Sequence, residues 1–285
     1  MNIEKKQLSA GLYFVATPIG SARDITLRAL DVLASADVLA AEDTRTLRHL
    51  MQIHGVELGD RPLIAYHDHN GAAQRPRLLG LLAEGKSVAY ASEAGTPLVA
   101  DPGYQLGREA IEAGFDVTSA PGPSAVVAAL SIAGLPTDRF FFAGFAPASG
   151  GARKSWLEDL SQLSATLVIY ESPKRIQRLL TEMVQSFGAE RPAAICRELT
   201  KRFEEVLRGS LQDLTEETAT RKLKGEIVLV VDRDHRVTSA ETMEDALMSA
   251  MQTMSVKDAA GAVSQALGLP KRQVYQAALD LAKRS

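Results

Sequence analysis

Four polar clusters stand where short apolar runs end, and their residue types are those that move protons or hold anions. They are Glu42-Asp43-Thr44-Arg45, His67-Asp68-His69-Asn70, Glu171-Ser172-Pro173-Lys174-Arg175 and Arg197-Glu198-Leu199-Thr200-Lys201. Part of this has a purely structural explanation. Asp43 or Thr44 caps a following helix, and Ser172 with Pro173 reads as an N-cap followed by proline at the first helical position. Those roles leave Glu42, Arg45, Glu171 and Arg175 as polar groups that could line a cleft. His67 and His69 stand two apart at a strand end, and no Cys/His partner set accompanies them. Polar cleft lining or phosphate contact is therefore expected there, and no metal. Nucleophilic catalysis finds no support: there is no G-x-S-x-G elbow, and Cys196 lies in an apolar run where a thiol is inert.

A different kind of site is written into residues 92–103, where Gly95, Pro97, Pro102 and Gly103 follow an apolar run at 87–91. Such a loop presents main-chain N–H and C=O groups. Glycine lets a ligand approach the backbone, and proline holds the curve at no further ordering cost. In α/β proteins ligands bind at the carboxyl ends of strands, where this loop falls. The first apolar run ends similarly, in Ala16-Thr17-Pro18-Ile19-Gly20. Neither a G-x-G-x-x-G fingerprint nor a P-loop lysine is present, so the chemistry says ligand-facing loop and nothing narrower. A side chain at position 95 is expected to enter the ligand space.

The elements that position these groups follow from periodicity. Apolar runs at 12–17, 37–41, 63–67, 87–92 and 116–120 read as strands, alternating with amphipathic stretches at 25–33, 44–53, 74–83 and 104–113. Alternation of this kind makes βαβ units and a mostly parallel sheet. Pro121-Gly122-Pro123 breaks the pattern, and Ser124 caps an apolar helix ending near Gly134, which marks a hinge. Further strands are expected at 139–145, 166–171, 193–199, 204–211 and 226–232, with an antiparallel hairpin around 201–205 and hence a mixed sheet. Beyond 232 only helices are expected, at 241–251, 255–267 and 270–282. The join Leu267-Gly268-Leu269-Pro270 followed by Lys271, Arg272, Gln273 and Tyr275 is helix-turn-helix-like. Nucleic-acid contact there and a plain helical hairpin both remain open. The expected fold class is α/β, with two α/β domains at 1–122 and 123–236 and a helical appendage at 237–285.

Composition narrows the setting. The 285 residues are 46% hydrophobic and 24% charged, values of a globular protein. No apolar run approaches the roughly 20 residues that span a bilayer. The opening residues lack the apolar stretch of a secretory signal, and one cysteine fits a reducing compartment, so a cytoplasmic protein is expected. A net charge of −3 argues against bulk polyanion binding but not against local basic surfaces, as at Arg197, Lys201 and Arg202 or at Lys271, Arg272, Lys283 and Arg284.

In order and spacing these segments resemble the tetrapyrrole-methylase-like, or class III, S-adenosylmethionine-dependent methyltransferases. The resemblance is carried by residues 12–20, 24–30 and 42–45, by His67, His69 and Asn70, and by Ala94-Gly95-Thr96-Pro97 with Asp101-Pro102-Gly103. Pro121-Gly122-Pro123-Ser124-Ala125, Tyr170-Glu171-Ser172-Pro173 with Arg175, and residues 197–201 complete it. It departs from the family pattern at Ser21, Gly71, Glu93 and Lys174, where Asn, Glu, Asp and His are usual. The resemblance implies two α/β domains with S-adenosylmethionine bent in the cleft between them. Pro18, Gly95, Thr96, Pro97, Leu98, Val99, Pro121, Gly122, Ser124 and Ala125 would surround the donor, with Leu199 and Thr200 near its adenine. It further implies methyl transfer to a cytidine ribose 2′-oxygen of small-subunit (16S) ribosomal RNA by a homodimer. A ribose hydroxyl is a weak acid and needs a base or a cation beside the developing alkoxide. Glu42, Asp43, His67 and Glu171 are the candidate bases, and Arg45, Arg175, Arg197 and Lys201 the candidate phosphate or alkoxide partners. A tetrapyrrole or corrinoid precursor as acceptor, and a non-catalytic ribosome-assembly factor, are the alternatives.

Overall fold

The structure, a computed structural model, describes residues 3–161, 163–233 and 240–284. The chain divides into two compact units, residues 1–160 with 165–232, and residues 233–285 with 161–164. The expected boundary at 236/237 lies outside the described residues.

The larger unit holds two five-stranded sheets. In the first, β1 (Gly11–Val15), β2 (Val38–Ala41), β3 (Leu63–Ala65), β4 (Ser87–Ala91) and β5 (Val117–Ala120) run in the order β3-β2-β4-β1-β5, every pair parallel. Strands β2 and β4 are buried along their whole length, as strands covered on both faces must be. One face packs on α1 (Leu27–Ser35) and α2 (Thr44–Ile53), through Leu30, Leu33, Leu47 and Met51. The other packs on α3 (Gly71–Ala83) and α4 (Tyr104–Glu112), through Leu78, Leu82, Leu106 and Ala110.

Residues 121–124 lead through α5 (Ala125–Ala133) into the second sheet. It contains β6 (Phe140–Phe145), β7 (Thr166–Glu171), β8 (Pro192–Arg197), β9 (Glu205–Ser210) and β10 (Ile227–Val231), in the order β6-β7-β10-β8-β9. Only β6 and β7 are parallel; β8 and β9 form the expected antiparallel hairpin. Helix α5 packs against Val168, Ala194, Cys196 and Val228 of this sheet. Three more helices accompany it: α6 (Gly150–Ser161), α7 (Ile176–Phe187) and α8 (Leu211–Ala219). Helix α7 buries Ile176, Leu179, Leu180, Met183 and Phe187, a stripe at helical spacing.

Local chemistry explains the element ends. Asp43 caps α2 by accepting from Arg45 N–H at 2.7 Å and Thr46 N–H at 3.3 Å, and Thr26 caps α1 through Ala29 N–H. Two helix starts lie three residues from the sequence expectation. Helix α3 begins at Gly71 rather than 74, because Asn70 accepts from His67 N–H and donates to the Ala65 carbonyl, closing the preceding turn. Helix α7 begins at Ile176, so Pro173 is not its first residue. Arg175 and Ile176 N–H both bond the Ser172 carbonyl, and residues 173–175 are a turn.

The smaller unit comprises α9 (Ala240–Met251), α10 (Val256–Leu267) and α11 (Lys271–Arg284) around Met243, Leu247, Val263, Val274 and Ala278. Ser255 caps α10 through Asp258 N–H, and Gly268 ends it at φ 65°. Among the described residues no helix is long and apolar enough to cross a membrane.

Leu229 is fully buried in β10, the central strand of the second sheet. Leu229→Ala is expected to lower unfolding free energy by about 2–5 kcal/mol in urea titrations. A loss well below that range would contradict its place in the core.

Candidate active site

A cavity of about 420 Å³ opens where the carboxyl ends of β2 and β4 meet the end of β7 and the start of β10. Its wall on the first sheet is the 92–103 loop, with Ile19 from the β1 loop and Glu42 at the end of β2. Ser124 and Ala125 enter from the start of α5, and Phe145, Tyr170, Glu171 and residues 225–228 close the other side. The floor is held by a two-residue bridge. Thr17 N–H donates to the Gly95 carbonyl at 2.9 Å, and Gly95 N–H donates to the Thr17 carbonyl at 3.0 Å. Ser92 Oγ adds a bond to the Gly95 carbonyl at 2.6 Å, and Thr96 Oγ1 reaches the Pro123 carbonyl at 2.8 Å.

The lining contains five carboxylates, on Glu42, Glu93, Asp101, Glu171 and Glu226, and no lysine, arginine or histidine. Crowded acids in a partly dry cavity disfavour ionisation. Burial, with the charges of Glu42 and Glu93 added, pushes the Asp101 carboxyl up to about 7. Burial also raises Glu42, with Glu93 and Asp68 reinforcing it against a hydrogen bond from Glu93 N–H. Glu42 Oε2 and Asp101 Oδ2 are both buried and accept no hydrogen bond from the described residues. Glu171 is held differently: Oε1 accepts from Ser172 N–H at 2.7 Å, and Arg175 Nη2 lies 3.3 Å from Oε2.

Of the residues assigned to the donor, Gly95, Thr96, Val99, Ser124 and Ala125 line this cavity. The others support it. Leu199 is buried with Ile19 and Val99 in the apolar cluster under α5, and Thr200 Oγ1 accepts from Ser21 N–H at 3.0 Å. The Pro121 carbonyl accepts from Thr26 Oγ1, and a Cβ on Gly122 would stand 2.9 Å from Ala16 Cβ, so that glycine permits a backbone approach. Leu98 packs over Gly103; Pro18 and Pro97 flank the Thr17–Gly95 bridge without lining the cavity. A Cβ on Gly95 would meet Ile19 Cγ2 at 3.2 Å and the Pro123 carbonyl at 3.7 Å, at φ 83°. A side chain there would strain the loop itself before it met any ligand.

Among the described residues, non-glycine positive φ occurs at Leu98, Ala100, Glu198 and Thr200, all in the two loops tied to this site. Such conformations cost of order 1–3 kcal/mol each and persist only where the surroundings enforce them.

Of the residues assigned to catalysis, Glu42 and Glu171 line the cavity; Asp43, Arg45, His67, Arg175 and Lys201 do not. Arg45 pairs with Asp43 at 2.9 Å, and its hydrogen bonds hold Asp43 down at about 2. His67 stands beside Glu42, its Nδ1 buried without a hydrogen-bond partner among the described residues. Arg175 donates to the Ala146 and Pro147 carbonyls, Arg197 pairs with Glu205 at 3.1 Å, and Lys201 bridges Glu198 and Glu226. The cations thus brace the rim while the acids face inward. Among the described residues no His/Cys/Asp/Glu group is placed to hold a metal ion, and burial pushes the Cys196 thiol up to about 11. Asp101 was overlooked as a site residue; an acid in a Gly/Pro loop just past a buried strand is the signal that could have found it.

The class follows from fold and matching family together. A family described as Tetrapyrrole (Corrin/Porphyrin) Methylases matches residues 11–215, and one described as RsmI C-terminal HTH domain matches residues 237–282. Uroporphyrin-III-C-methyltransferase from Thermus thermophilus shares the fold, with TM-score 0.55 and 23% identity over 78% of this chain and 94% of that one. The chain is a tetrapyrrole-methylase-fold protein. It is 45% identical to the ribosomal RNA small subunit methyltransferase I of Mesorhizobium japonicum, over 98% of this chain and 95% of that protein. The protein of the same name from Mycobacterium tuberculosis is 43% identical, over 95% of each. The chain belongs to the ribosomal RNA small subunit methyltransferase I family.

Asp101 gives the site a stability signature. Its folded pKa of about 7 lies above its unfolded value, so the native state keeps a proton that the unfolded chain has released. Its contribution to stability therefore falls as pH rises from about 4 to about 7. Asp101→Asn is expected to melt at a higher temperature than the parent near pH 8, with the gap closing toward pH 4. Equal melting temperatures at both ends would contradict a buried, crowded carboxyl.

Proposed function

We propose that the protein transfers the methyl group of S-adenosylmethionine to a cytidine ribose 2′-oxygen of small-subunit ribosomal RNA. One observation carries the reading beyond the family: the cavity is lined by carboxylates without a cation, beside main-chain groups of a Gly/Pro loop. That lining suits a sulfonium, and it repels a phosphate backbone. The donor, bound there, supplies an already activated methyl electrophile, so no metal or enzyme nucleophile is required. Gly95, Thr96, Val99, Ser124 and Ala125 would hold it, with Leu199 and Thr200 bracing the loop beneath.

The chain's own task is then the acceptor proton. Glu42 and Asp101 present unpaired buried oxygens to one cavity, and their pKa values are raised toward the range in which a carboxylate accepts a proton efficiently. We assign them the base role, with Glu171 as a fixed acceptor braced by Arg175. The rest of the rate comes from alignment of the two substrates. We take the domains as 1–122, 123–236 and 237–285. We also read the protein as cytoplasmic and as a homodimer, the latter supported by Phe140 and Phe141 exposed on the edge strand β6.

The test is incubation with labelled S-adenosylmethionine and small ribosomal subunits from cells lacking the protein, followed by mass spectrometry of the digested RNA. Label on a cytidine ribose is expected. Label only on a tetrapyrrole precursor, or on nothing, would overturn the assignment. Glu42→Gln and Asp101→Asn are each expected to lower kcat by about 100-fold with donor affinity nearly kept. Unchanged kcat in both would remove the base role.

A further inference from the structure

Outside the acidic cavity lies a second one with the opposite chemistry. It measures about 560 Å³ and is lined by Arg197, Arg221, Lys222 and Lys224, with Glu198, Phe203, Leu223 and Gly225. Four cations face one carboxylate. Arg197 and Arg221 are fixed in its wall, both bonded to Glu205, at 3.1 and 2.6 Å, and Arg221 also to Glu217 at 2.8 Å. Lys222 and Lys224 are exposed and enter no ion pair among the described residues, so their charge is available to a ligand. Phe203, on the turn between β8 and β9, is 63% exposed, with the Arg202 guanidinium 5.4 Å from its ring centroid.

The two cavities share Gly225. At φ 85°, a Cβ there would stand 2.3 Å from the Glu198 carboxyl group, so the position is restricted to glycine. Glu198 is itself pinned, exchanging bonds with Glu226 and held by Lys201 at 3.0 Å.

Resting on the RNA-methyltransferase reading above, we propose that this outer cavity seats an unpaired nucleotide flanking the methylated one. Its base stacks on Phe203, and its phosphates lie against Lys222 and Lys224. An exposed aromatic beside unpaired cations is the combination by which proteins hold single strands, stacking being tolerant of sequence and cations tracking the backbone. The charge pattern selects this occupant: a polyanion is attracted by the outer cavity and repelled by the inner one, leaving the target ribose to reach past Gly225.

The experiment uses the full-length protein and a short fluorescein-labelled unpaired RNA, read by anisotropy and so independent of methyl transfer. Phe203→Ala is expected to weaken binding about tenfold, Phe203→Trp to retain it, and Lys222→Glu with Lys224→Glu to weaken it more and flatten its salt dependence. Calorimetric affinity for S-adenosylmethionine stays at the parental value in all three. RNA affinity within twofold of the parent in Phe203→Ala and the double variant would overturn the proposal. So would a Phe203→Ala protein whose light-scattering mass falls, which would make this face a contact between copies of the chain. Parental protein that binds the RNA with these sensitivities yet transfers no methyl group would sink the catalytic reading and leave the nucleotide seat standing.

Discussion

The cavity depends on the pair of main-chain hydrogen bonds between Thr17 and Gly95. Thr17 is buried, and a buried peptide group must find a partner. Here the partner is the loop of a different strand, so the ends of β1 and β4 are fastened to each other rather than left to solvent. The Thr17 hydroxyl bonds the Ser92 carbonyl at 3.2 Å, and the Ser92 hydroxyl bonds that of Gly95, which leaves the bridge little freedom to slide. Thr96 and Thr26 then fasten the same floor to residues 121–123, the connection to the second sheet. A ligand meeting such a surface spends little of its binding energy on ordering the protein.

Five acids around one small volume act against the stability of the fold. The structure accommodates them unevenly: Glu171 is ion-paired with Arg175, whereas Glu42 and Asp101 enter no ion pair among the described residues and each keeps a buried oxygen without a hydrogen bond. The left-handed backbone at Leu98 and Ala100 adds strain in the same loop. Cost concentrated in this way at one cavity is the pattern expected of a site that trades stability for activity.

The alternation of strands and helices in the first half was legible because parallel strands covered on both faces leave continuous apolar runs. The mixed second sheet was legible from the short span between β8 and β9. What periodicity could not carry was direction. Arg45, Arg175 and Lys201 have the right types in the right places, yet each turns to a carboxylate within four residues, at Asp43, Glu171 and Glu198. Those pairs were readable as local sequence neighbours. Arg197 instead depends on Glu205 across the hairpin, and Asp101 depends on burial and then on Glu42 at the end of β2, so the character of both is set by tertiary structure. Ser172-Pro173 misled because a capping signal also suits a turn, and here the turn won.

Charge separation gives the larger unit its functional logic. At a net charge of −3 the molecule as a whole does not attract RNA, so attraction has to be local. The lysines of residues 197–224 are divided between two tasks. Lys201 is spent on Glu198 and Glu226, against the cost of its own burial, and so fixes the rim of the acidic cavity. Lys222 and Lys224 remain available outside it. Lysines inside the acidic cavity would attract phosphate to the seat proposed for the cationic donor, and acids on both sides would repel a polyanion. Gly225, where a side chain would strike Glu198, lets the acidic and basic fields adjoin, an arrangement that suits the proposed pairing of a cationic donor with a polyanion.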